Sequence, residues 1–130
     1  MAQYSFNKIL TGSLAEVIAK VTQALKEQGF GVLTDIDVQA TLKSKIDKQI
    51  AGYRILGACH PMMAYRAIGL EPRIGVMLPC NVLVRELGDG KVEVSLVDPM
   101  ATMAAVQNEQ LAEVAGEVHA KLKKVSELLA

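Results

Sequence analysis

Two stretches of the chain carry apolar residues on one side of a helix, and this limits what the rest can form. Over residues 13–28, Leu14, Val17, Ile18, Val21 and Leu25 recur at helical spacing. Over 108–128 the same spacing joins Leu111, Val114, Ala115, Val118, Leu122 and Val125, with Leu129 next in phase. Turned through 100° per residue, the second set stays within a sector of about 100°. Both helices carry start signals. Ser13 followed by Glu16 forms a capping box, and Asn108 is a good N-cap. Gly29 closes the first helix as a C-terminal glycine. Helices this one-sided need a single apolar surface to cover, and the remaining sequence offers one as strands.

Strands are expected over 3–10, 30–36, 53–59, 74–87 and 91–97, where β-branched and aromatic residues alternate or run together. In the longest, Ile74, Val76, Leu78, Cys80, Val82 and Val84 share one face if no bulge intervenes. Gly88-Asp89-Gly90 is a hairpin turn between the last two strands. Asp37 caps a peripheral helix over 38–50 whose stripe of Val38, Leu42, Ile46 and Ile50 is narrow, and Gly52 breaks it. Pro61 starts a short helix to Ile68, and Asp98-Pro99 starts a helical turn. This order predicts one domain over 1–130, a two-layer α+β fold, β-α-β-β-β-β-α, with a largely antiparallel sheet and both long helices on one face. The other face would then expose Leu56, Met77, Leu83 and Val97. A homodimer interface or a ligand pocket would cover them.

Composition narrows the function classes. Fourteen basic residues balance fourteen acidic ones, and aromatics are few. Nucleic acid is therefore not expected as a partner. No apolar run approaches the roughly 18–20 residues of a membrane span, so no membrane is expected either. The chain shows no basic and apolar leader pattern and has only two cysteines, which points to the cytoplasm and to reduced thiols.

Chemistry gathers in two short segments, Ala58-Cys59-His60-Pro61 and Met77-Leu78-Pro79-Cys80-Asn81. They hold both cysteines, each near a proline, and one of the two histidines. Thiol and imidazole are soft or borderline ligands for Zn²⁺ or Cu⁺, and a thiolate is a nucleophile. Cysteine is also among the most buried residue types, and Cys80 has an inward register. His60 reads as an exposed strand-end residue unless Pro61 turns the chain there, and His119 as an edge residue of the last helix. Arg54, Arg66, Arg73 and Arg85 flank these segments and could hold an anion, although strand-end arginines are usually solvated. Asp35 and Asp37 could face a shared site, with capping the commoner role.

The run Arg54-Ile55-Leu56-Gly57-Ala58-Cys59-His60-Pro61, then Glu71-Pro72-Arg73-Ile74-Gly75, then Leu78-Pro79-Cys80-Asn81-Val82-Leu83-Val84 resembles the bacterial and archaeal family known as domain of unknown function 302. In that family the residue after the first cysteine is commonly Asn, so His60 departs from it. The resemblance implies a fold similar to the TATA-binding-protein-like class, often dimeric, and no established reaction or cofactor. The expectation is a small binding module, a homodimer, whose pocket takes a metal ion or small ligand through Cys59, His60, Cys80 and Asn81. Cys59, His60 and Cys80 are the candidate metal ligands. The rival readings are a thiol-dependent redox or sulfur-handling enzyme and an interaction domain with core cysteines. Cys59 and Cys80 are expected on adjacent strands at a cavity mouth, without a disulfide.

Overall fold

A computed structural model describes residues 3–129. Five strands, β1 (Ser5–Thr11), β2 (Gly31–Asp37), β3 (Tyr53–Cys59), β4 (Cys80–Gly88) and β5 (Lys91–Val97), form one sheet in the order β1-β5-β4-β3-β2. Every neighbouring pair is antiparallel. β1 and β2 thus lie at opposite edges, and helix α1 (Leu14–Glu27) carries the chain between them across one face. Helix α5 (Glu109–Leu128) packs beside α1 on the same face. The two-layer α+β arrangement expected from the helical stripes is the one observed.

The core is the interface of these layers. Val17, Val21 and Leu25 of α1 and Leu111, Val114, Leu122 and Val125 of α5 are fully or almost fully buried. They meet Leu56, Val82, Val84, Val92, Val94 and Leu96 of the sheet. The start signals act as the sequence implied. Ser13 and Glu16 form a reciprocal capping box, and the Asn108 side chain accepts hydrogen bonds from the amides of Gln110 and Leu111. Gly29 adopts φ +86°, a conformation that favours glycine.

Four expectations need correction. The strand expected from residue 74 begins at Cys80, because Pro72–Met77 coil into a 3-10 turn that Glu71 caps. Pro79 has no amide hydrogen to donate, so pairing starts beyond it. Ile74 is still buried, but from the turn, and Val76 is 88% exposed rather than inward. Second, Leu56 pairs with Val82 and lies in the core, so it does not belong to the bare face. Leu83 and Val97 do lie there. Met77 lies outside the strand altogether. Third, helix α2 (Val38–Ile46) stops well before Gly52. Asp47 ends it in a left-handed conformation, with its amide and that of Lys48 bonded back to Lys43 and Leu42. None of its residues is buried, so no packing sustains another turn. The fourth concerns His60. It is not an exposed strand-end residue but the half-buried N-cap of helix α3 (Pro61–Leu70), its Nδ1 accepting from the Met63 amide at 3.4 Å.

After β5, Asp98 caps the short helix α4 (Pro99–Thr102) through the Met100 amide. The same carboxylate lies 2.8 Å from Nδ1 of His119 on α5. The Phe6 and His119 rings meet in a T-shaped arrangement, so His119 is a hydrogen-bonded edge residue that ties α5 to β1 and to the turn after β5.

Candidate functional site

At one end of the sheet β3 finishes while β2 and β4 begin, and α3 leaves β3 to pack against α5. A cavity of about 340 Å³ lies there. The sheet end contributes Ala58, Cys59, Leu78, Pro79 and Cys80. Phe30, Leu33 and Thr34 come from the start of β2, Met63, Ala67 and Ile68 from α3, and Val114, Ala115 and Val118 from α5. Most of the lining side chains are hydrocarbon, and the rest are Thr34, His60, the two cysteines and two methionines. Ala67 and Ala115 sit where a larger residue would fill the space, and so the gap between helices and sheet stays open.

Two close approaches shape the walls. The ring of Pro79 lies over Gly57, where an added Cβ would run into Thr34 Oγ1 and meet Pro79 Cγ at 2.7 Å. On the other side the His60 ring sits over Gly29 and meets the Phe30 ring edge-on at 5.4 Å between centroids. The β2–β3 register shifts between Val32 and Thr34, which brings consecutive residues Leu33 and Thr34 to the same cavity.

The structure brings three of the four sequence-chosen residues to this cavity: Cys59, His60 and Cys80. Ala58 pairs with Cys80 across β3 and β4, so the two cysteines are close neighbours on adjacent strands. Both are free thiols, Cys59 half-buried and Cys80 buried. Burial, and then the neighbouring Cys59, pushes the Cys80 thiol up to about 11, so it stays protonated at neutral pH. Asn81 is not brought to the cavity. Strand alternation turns it away from Cys80, and it is exposed beside Leu83 and Ser95 on the bare sheet face.

The expected metal set does not assemble. His60 commits Nδ1 to capping α3 and holds Nε2 against Gly29. Among the described residues no three His, Cys, Asp or Glu side chains are grouped so as to hold a metal ion. Three of the four arginines considered as anion holders are also engaged. Arg54 pairs with Asp35, Arg66 with Glu117 and Arg85 with Glu93. Arg54 holds the Asp35 carboxyl below its usual range through their hydrogen bonds, and Asp37 is the cap of α2.

The conserved-domain description "Domain of unknown function DUF302" matches residues 6–129, nearly the whole chain. The chain belongs to this family. Its fold is similar to that of the uncharacterized conserved protein DUF302 from Bacillus stearothermophilus, with a TM-score of 0.91 at 23% identity. The alignment spans 99% of this chain and 100% of that one. No curated protein matches the sequence. Between β3 and Pro61, His60 accepts from the N3 amide, that of Met63, through Nδ1.

Sequence reasoning missed the far wall. Val114, Ala115 and Val118 read only as core because their periodicity is the same whether the stripe meets packed atoms or a gap. The available signal was the pair of alanines, Ala67 and Ala115, within otherwise bulky stripes.

No helix among the described residues is long and apolar enough to cross a membrane.

Proposed function

We propose that this DUF302 domain is a binding module for a small uncharged apolar molecule held between α3, α5 and the ends of β3 and β4. The observation that carries the reading is the cavity itself. Its volume of about 340 Å³ falls in the range of small-molecule pockets, roughly 300–1,000 Å³, and is far larger than a metal ion requires. No Arg, Lys, Asp or Glu is among the described lining residues, so nothing there selects for a charged ligand. A buried charge without a partner would be expensive there. Affinity would come from removing apolar surface from water, about 25 cal/mol per Å². The two free thiols fit a reducing, cytoplasmic setting.

The test is titration with the uncharged dye N-phenyl-1-naphthylamine, whose fluorescence rises in apolar surroundings. Wild type should bind it saturably, and Ala115→Leu, which fills the cavity from α5, should weaken binding about tenfold while circular dichroism stays unchanged. Equal binding by the two proteins would place the dye elsewhere and remove this reading.

A further inference from the structure

We propose that the ligand is an uncharged apolar electrophile, an α,β-unsaturated aldehyde or ketone, and that Cys59 forms a covalent bond to its β-carbon. The inference rests on the apolar-pocket reading and names the chemistry of its occupant. Two free cysteines line one largely apolar cavity. Cys80 is about nine-tenths buried and enters no side-chain hydrogen bond among the described residues, and Cys59 is the more exposed of the two. Among the described lining residues the thiols are the strongest nucleophiles, and His60 uses Nδ1 as a helix cap. A soft nucleophile in an apolar wall selects a ligand that is apolar along its length and electrophilic at one carbon.

The division of labour follows from exposure. Cys59 ends β3 and is the more exposed of the two thiols, so it is the one an entering molecule reaches. Cys80 stays protonated inside the wall and does not compete. In the reaction the S–H bond of Cys59 breaks and its proton passes to solvent. The sulfur electron pair forms the bond to the β-carbon. The π pair of the conjugated double bond moves through an enolate, and the α-carbon takes a proton from water. The sum is addition of S–H across a carbon–carbon double bond. Nothing is oxidised or reduced and no group leaves. Joining Cys59 to Cys80 would instead require an oxidant.

The experiment compares acrolein with trans-2-hexenal, each reacting with the whole protein and, as a reference, with glutathione. Adducts are followed by intact mass and located by peptide fragmentation. Relative to glutathione, the protein's rate should rise about tenfold to a hundredfold from acrolein to hexenal, the gain expected from burying three more carbon atoms. The adduct should map to Cys59 in wild type, and Cys59→Ser should abolish it. The mapping does not depend on the variant's folding. A flat rate ratio, or an adduct on Cys80 or a histidine, overturns the proposal. Displacement of the naphthylamine dye by 1-hexanol separates the two readings. If hexanol displaces the dye and the enal ratio is flat, only the covalent step fails. If hexanol does not displace it, the apolar site fails too.

Discussion

A Cβ added to Gly29 would lie 2.8 Å from Nε2 of His60. The residue that ends α1 and the residue that begins α3 are therefore fitted to one another, although thirty-one positions separate them in sequence. Gly29 turns the chain with a positive φ and at the same time leaves room for the imidazole. The His60 ring fills that room, caps α3 and supports Phe30 at the edge of the cavity.

Gly29→Ala should therefore cost about 2–3 kcal/mol, because it combines an unfavourable left-handed conformation with a close contact. In a His60→Ala background the contact is gone and the cost should fall to about 1 kcal/mol. Gly31→Ala, whose added Cβ meets nothing within 4 Å, should change stability by no more than about 1 kcal/mol. Urea denaturation of the four proteins and wild type measures this. Equal costs in both backgrounds would mean that the ring yields freely.

Gly57→Ala tests the opposite wall. The new methyl would press on Thr34 Oγ1 and on the Pro79 ring, and both line the cavity. Overpacking of this kind costs about 1–3 kcal/mol. Dye affinity should drop by several-fold in the portion that remains folded, because the wall must move. Unchanged affinity with unchanged stability would show that Pro79 has space to retreat.

Stability above pH 9 should report on Cys80. An unfolded thiol gives up its proton near the ordinary value of 9.0, whereas the buried one holds it to about 11. Between those values the folded state binds more protons than the unfolded state. Stability therefore falls as pH rises through the window, and is unaffected below it. The loss is on the order of 2 kcal/mol. Cys80→Val removes the ionisable group at similar volume, so denaturation between pH 8 and 11 should show a shallower fall than in wild type. Parallel pH profiles would mean that Cys80 ionises as freely in the folded protein as in the unfolded chain.

What could be read from the chain was mostly local. Ser13 with Glu16, Asn108 and the two apolar stripes specify helices through hydrogen bonds and spacing within a few turns. Alternation placed Cys80, Val82 and Val84 on one side of a strand, and Gly88-Asp89-Gly90 turned it back. The strand expected before Pro79 is a turn, because the i, i+2 spacing of Ile74 and Val76 has a strand's period and does not reveal a three-residue turn in which the two face apart. The same reasoning also placed Leu56 outward, because a strand with apolar residues at every position does not show which face is covered.

By itself the sequence determined that two one-sided helices would cover a sheet, and that its cysteines would end and begin neighbouring segments. Hydrogen-bonding spacing and apolar periodicity act over short separations, so one chain's worth of residues suffices to state them. Only the tertiary structure decided that the helices would leave a space beside those thiols, that Asn81 would turn away from it, and that His60 would be spent on a helix end and on Gly29. A cavity is a difference between the volume enclosed by packed elements and the volume of the side chains inside it. That difference depends on how α3, α5 and the strand ends are juxtaposed, and no local pattern encodes it.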